Sequence, residues 1–149
     1  MHYLLDTNAC VVFLRQGGQS PVAQKLAAQD SSSVSLCAIV KQELLYGALH
    51  SERREENLAL LRKFMSGFAS YPFDDAAAEI AGKLQEELAV QGTPIGPYDL
   101  QIAAVALAND LTLVTHNTRE FQRVSRLRVE AGSGQPQVVD ESSSPNSSR

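Results

Sequence analysis

Tryptophan is absent from this 149-residue chain, and cysteine occurs only at Cys10 and Cys37. Two cysteines without C-x-x-C spacing exclude a disulfide framework and a cysteine-based zinc site, and both read as small apolar core residues. No run of about 18 uncharged apolar residues occurs, and the opening MHYLLDTN carries an acid at position 6 with no basic segment before it. A membrane span and an export signal are therefore not expected, and a cytoplasmic location is. Basic charge is also in short supply, with 13 Lys and Arg against 17 Asp and Glu and a net charge of −4. Binding of nucleic acid through overall basicity is thereby excluded, and only local patches remain. The stronger patch holds Arg119, Arg123, Arg126 and Arg128 and the weaker one Arg53, Arg54, Arg62 and Lys63; a solvated charged face is the plain alternative for each.

What is present suits one domain with one core: 44% of residues are hydrophobic, and a chain of this length buries roughly two thirds of its unfolded surface. The pattern alternates between short apolar strands and amphipathic helices. Strands are predicted at 2–5, 33–36, 71–73, 111–115 and 127–130. Helices are predicted over 9–14 and 22–29, through 42–45, along the stripe Leu58, Leu61, Met65 and Phe68, through Ile80, Leu84 and Leu88, and from Pro97 to about Ala108. Pro97 suits a first helical turn because its missing N–H has no partner there. Beyond Glu130 the sequence AGSGQPQVVDESSSPNSSR has too little apolar surface to offset the entropy of ordering, so a domain over 1–130 and a disordered tail over 131–149 are expected. Strands alternating with helices predict an α/β fold with a parallel sheet covered on both faces.

Parallel α/β sheets gather ligands at the carboxyl ends of their strands. Asp6 follows the first strand, Glu43 lies on the helix after the second, Asp99 opens its own helix, and Thr115-His116-Asn117 closes the late strand. Each has an ordinary explanation: Asp6 as a helix cap, Glu43 as an exposed helical position, Asp99 as a partner of the helix dipole, Asn117 as a turn former. Taken together they would crowd charge, since two carboxylates about 4 Å apart repel by roughly 4 kcal/mol at an effective dielectric near 20. Either a shared proton or a hard divalent cation must offset that. Oxygen ligands without a His or Cys set favour Mg²⁺ or Mn²⁺, which can activate water against a phosphodiester.

Four blocks carry a resemblance that spans about residues 2–130: LLDTN, the Glu43 segment with LLYGA, PYDLQIAAVAL and LVTHNTREFQRV. Together, in this order, they resemble the PIN-domain ribonucleases, specifically the VapC toxins of type II VapBC toxin–antitoxin modules and the branch of tRNA(fMet)-specific endonucleases. The resemblance implies a three-layer α/β/α sandwich and a Mg²⁺-dependent endonuclease, with Mn²⁺ able to substitute, acting on RNA and in this branch on tRNA. It also implies a homodimer neutralised by a VapB-type antitoxin. Carried over, the catalytic set is Asp6, Glu43, Asp99 and Asn117. Asp6 and Asp99 would be direct metal ligands, Glu43 would act through water or on a second metal, and Asn117 would orient water or phosphate. Asn117 is an amide where many relatives place a fourth acid, and Glu120 is the nearest substitute. Thr115 is a possible supporting residue, and Arg119 and Arg123 are candidates for contacting RNA.

Two other readings compete. A haloacid-dehalogenase-like phosphatase would use LLDTN for its nucleophile but needs an acid two residues on, where Asn8 stands. A catalytically silent PIN-fold protein that only binds partners would follow if the amide at 117 had cost the site its activity.

Overall fold

The first element ends in one step. Tyr3–Leu5 forms β1, buried at all three residues, and after the single residue Asp6 the chain enters helix α1 (Thr7–Gln16). Asp6 is extended, with φ −78° and ψ 175°, and its Oδ1 accepts from the Ala9 N–H at 2.8 Å, which supplies one of the hydrogen bonds the helix start lacks. The computed structural model describes residues 2–19, 21–28 and 31–132. Gly17, at φ 58°, closes α1 in a conformation open mainly to glycine.

Helix α2 (Pro21–Ala27) is followed by strand β2 (Val34–Cys37), buried throughout, and directly by helix α3 (Ala38–Leu49). Gln29, predicted to end the second helix, lies outside the described residues. Helix α4 (Arg54–Met65) buries Leu58 and Leu61 but leaves Leu60 exposed. Phe68, predicted on the same helical stripe, lies beyond the helix, because Gly67 N–H and Phe68 N–H bond to carbonyls three residues back and tighten the last turn. Its ring still meets Phe64 edge-on at 5.0 Å, and Phe64 meets Phe13 of α1 at 5.2 Å.

Strand β3 is Ala69–Tyr71, not the predicted 71–73; pairing stops with Tyr71 opposite Cys37 because Pro72 has no N–H to donate. Helix α5 (Asp75–Gln91) is capped by Asp74 and ends at left-handed Gly92, φ 73°. Helix α6 (Pro97–Ala108) starts at Pro97 and buries Leu100 and every residue from Ile102 to Ala106, so it is apolar nearly all round and packs along α5. The turn to strand β4 (Thr112–Thr115) passes through Asp110 at φ 54°, whose carbonyl and carboxylate both accept from Arg128 Nη2. A four-residue helix, α7 (Thr118–Phe121), leads to strand β5 (Val129–Ala131). That strand reaches one residue past the boundary expected at 130, and Gly132 N–H donates to Thr115 O at 2.8 Å. The tail expected over 131–149 lies, from residue 133 on, outside the described residues.

The five strands pair in parallel in the order β3-β2-β1-β4-β5, giving an α/β/α sandwich. The connections run outward from β1 through β2 to β3, then return to β4 on the other side of β1. The chain thus reverses direction between β1 and β4, and the crevice at their carboxyl ends is where such sheets bind ligands. Cys10 and Cys37 are both buried thiols, as predicted, and burial pushes both up from the usual thiol range. Among the described residues no helix is long and apolar enough to cross a membrane.

Candidate active site

Asp6 lies at the switch point, its N–H bonded to Val114 O at 3.0 Å and its side chain only 3% exposed. One carboxylate oxygen caps α1, and the other accepts from the Thr115 hydroxyl. Thr115 Oγ1 in turn accepts from the Asn117 N–H at 2.9 Å, so the end of β4 and the following loop are tied to Asp6. Burial raises the Asp6 carboxyl above its ordinary value, and the charge of Glu43 adds to this. Thr115, the Ala9 amide and His116 pull the other way.

Glu43 reaches the same edge from the second turn of α3, half-buried, and its Oε1 accepts from Thr7 Oγ1 at 2.6 Å. Asp99 comes from the other flank, as the third residue of α6. Its carboxyl is pushed up to about 6, first by burial and then by the charges of Glu120, Asp6 and Glu43, with a hydrogen bond to Glu120 acting in the same direction. Glu120 shifts the opposite way. Its Oε1 accepts from Gly96 N–H at 3.0 Å and its Oε2 from Asn117 Nδ2 at 2.7 Å, and these donors hold it below the ordinary glutamate value. Glu120 therefore joins the loop before α6 to the loop after β4. Arg123 adds a second tie through Nη1 to Pro94 O at 2.8 Å.

Asp6, Glu43, Asp99, Thr115, Asn117 and Glu120 are thus brought to one edge, as their places in the sequence predict. Two partners were not foreseen. The sequence around Thr7 signals only a loop and a helix cap, because its bond to Glu43 depends on α1 packing against α3; the Gly96 amide has no side-chain signal at all. Asn117 differs from expectation in its engagement, since its amide N–H is occupied by Glu120. The arginine patch divides: Arg126 pairs with Glu87 at 3.7 Å and Arg128 with Asp110 at 2.8 Å, while Arg119 and Arg123 stay exposed beside the acids.

The ion pairs among the described residues join Arg53 to Glu56, Lys83 to Glu79, Arg126 to Glu87 and Arg128 to Asp110, and none of these includes Asp6, Glu43, Asp99 or Glu120. Neutral donors and nearby cationic groups already offset part of the charge at Asp6 and Glu120, so the crowding falls chiefly on Asp99, whose raised carboxyl can hold a proton or face a cation. No three His, Cys, Asp or Glu side chains among the described residues stand close enough to enclose a metal by themselves. Such a set makes no closed zinc cage; a Mg²⁺ ion that keeps several waters would need only one or two of these carboxylates. Beside Glu43 a groove of about 480 Å³ runs between α1, α3 and α4, lined by Val11, Leu14, Arg15, Leu60 and Leu61.

Residues 3–127 match the PIN domain family. The tRNA(fMet)-specific endonuclease VapC of Shigella flexneri is 37% identical over 87% of this chain and 97% of its own length. Ribonuclease VapC2 of Rickettsia felis is 35% identical over the same shares. The DNA-bound VapBC structure from Salmonella typhimurium superposes with a TM-score of 0.83 at 35% identity, covering 89% of this chain and 98% of the matched one. VapBC2 from Rickettsia felis bound to a promoter DNA fragment gives 0.80 at 35%, covering 88% and 98%. A dehalogenase-like phosphatase is thereby set aside: this chain belongs to the PIN-domain family and, within it, to the VapC ribonuclease toxins of VapBC modules.

Proposed function

We propose that the protein is a Mg²⁺-dependent endoribonuclease that cuts tRNA in the cytoplasm, with initiator tRNA the first substrate to test. It would act as a homodimer restrained by a VapB-type antitoxin. The observation that supports this most directly is Asp99, a carboxyl pushed up to about 6 among other acids at the switch point. Groups shifted by burial and like charge in a crevice mark functional sites. The choice of tRNA follows the names of the relatives, and the choice of antitoxin follows the VapBC complexes. The groove beside Glu43 offers a partner segment a route to the acids.

Asp6 and Asp99 would hold the cation, with Mn²⁺ able to replace Mg²⁺. When bound, the cation supplies a Lewis acid for the phosphoryl oxygen and lowers the pKa of attacking water. The chain's own groups do the rest. Thr115 and the Ala9 amide keep Asp6 aimed in one rotamer. Glu43, oriented by Thr7, takes the proton of the attacking water or orients that water. Glu120, held ionised by Gly96 and Asn117, supplies the negative charge that position 117 lacks. Arg119 and Arg123 contact flanking phosphates. In-line attack leaves a 5′-phosphate and a 3′-hydroxyl.

Purified protein is incubated with initiator and elongator tRNA transcripts with Mg²⁺, Mn²⁺ or EDTA. Cleavage with either metal, stopped by EDTA, is expected. A folded Asp6→Ala or Asp99→Ala variant that cuts at the parent rate would sink the reading. The silent alternative rests on the amide at position 117, whose Nδ2 is taken up by Glu120. It would be favoured if calorimetry found no Mg²⁺ or Mn²⁺ binding at millimolar concentration.

A further inference from the structure

Tyr46 on α3 and His50, the residue that caps the end of α3 one turn on, stand with their rings stacked, centroids 5.4 Å apart and planes 13° from parallel. Tyr46 is 66% exposed, and His50 is exposed as well. A single exposed tyrosine needs no explanation, but a ring held flat against a second ring presents an ordered face at little further cost in entropy. Its place is informative too. With 3.6 residues per turn, Tyr46 lies about 60° and His50 about 20° around the helix from Glu43, and about 4.5 and 10.5 Å along the axis. Leu44 and Ala48, on the opposite flank of Glu43, are buried and border the groove between α1, α3 and α4. Glu43 thus separates two surfaces: the groove on one side and the ring pair on the other.

We propose that the Tyr46–His50 stack is a nucleobase-binding subsite, holding an unpaired base of the RNA beside the bond to be cut. This rests on the ribonuclease reading above. Every base has a π-face, and stacking on aromatic side chains is how proteins commonly hold single-stranded RNA in loops. From the ring pair, the helix stripe leads back to Glu43, so a base seated there would put a neighbouring phosphate near the acids. A second copy of this chain is the other conceivable occupant. The same flank, however, carries Gln42 next to the rings, with Leu49 41% exposed farther round. That is a poor start for the roughly 800 Å² per partner of a stable protein interface.

The test uses initiator tRNA transcripts with 2-aminopurine placed at one unpaired loop position at a time, on the parent protein and on Tyr46→Ala and Tyr46→Phe. In EDTA, one position should be quenched by the parent and by Tyr46→Phe, and not by Tyr46→Ala. With Mg²⁺, Tyr46→Ala should raise KM about tenfold while kcat changes less than about threefold, and Tyr46→Phe should restore KM. Cleavage by the parent with KM and quenching unaltered in Tyr46→Ala overturns the subsite and leaves the ribonuclease reading intact. Quenching that depends on Tyr46 in a parent that does not cleave supports the subsite and removes that reading. If Tyr46→Ala lowers the oligomeric state on gel filtration and keeps the quenching, the rings are a contact between copies and the subsite is overturned.

Discussion

Asp6 and Asp99 face one crevice from opposite flanks, and the protein holds them on opposite terms. Asp6 is almost fully buried, caps α1 and receives the Thr115 hydroxyl, so both of its oxygens have neutral donors. Asp99 is half-exposed on a rigid apolar helix, and its neighbours are Glu120, Asp6 and Glu43. One carboxylate helps to hold the fold together and the other is stressed by it. Sites that work on charge often keep such stress, because a ligand can relieve it.

The sharpest way to break this contrast is to neutralise each acid. Asp6→Asn and Asp99→Asn should each lower tRNA cleavage by more than about a hundredfold, measured as kcat/KM. Urea denaturation should separate them. Asp6→Asn should be destabilised, because capping and a buried hydrogen-bond network are disturbed, and metal-free Asp99→Asn should be at least as stable as the parent. A destabilised Asp99→Asn would mean that the hydrogen bond between Asp99 and Glu120 outweighs the crowding.

Thr115→Val tests the neutral side alone. It leaves a buried Asp6 oxygen and the Asn117 N–H without their partner, and should cost about 1–3 kcal/mol in urea. An unchanged midpoint would show that the hydroxyl contributes nothing net.

Acid pH tests the crowded side. Asp99 titrates at about 6 in the fold against an ordinary 3.8, so over that interval the native state binds the extra proton. Stability of the metal-free protein should therefore rise as pH falls from about 7.5 toward 5, and be lost again as pH rises through about 6. The raised Asp6 acts in the same direction, and Glu120, lowered in the fold, opposes it only at more acid pH. Mg²⁺ at neutral pH should raise Tm as protonation does, and Asp99→Asn should flatten both responses. A Tm that falls steadily on acidification would contradict the proposed crowding.

The smallest effect belongs to the rim. Arg119→Ala with Arg123→Ala should weaken RNA binding and reduce the slope of log K against log salt by about 0.7 per arginine. An unchanged slope would assign these side chains to a solvated face.

Much of this was legible before folding. Apolar strands followed at once by an acid or a helix foretold the parallel sheet, and Pro97 marked a helix start that the structure keeps. The errors lay where local chemistry overrode periodicity. Phe68 continued the helical stripe but sat past a tightened last turn, and Pro72 ended a strand that apolar character alone would have carried on. Glu120 could be named as a substitute acid, but not as the residue that joins Gly96 to Asn117, since those groups lie 24 and 3 residues away along the chain.

The sequence by itself determined which acids are present and that Asp6 follows one regular element while Asp99 opens another. The spacing of apolar residues chooses strand or helix locally, and these two acids fall at the breaks. Only the tertiary structure decided their unequal character. Burial and charge repulsion depend on distances between elements remote in the chain: burial raises both carboxyls, Thr115 and the Ala9 amide offset part of it at Asp6, and the charges of Glu120, Asp6 and Glu43 add to it at Asp99.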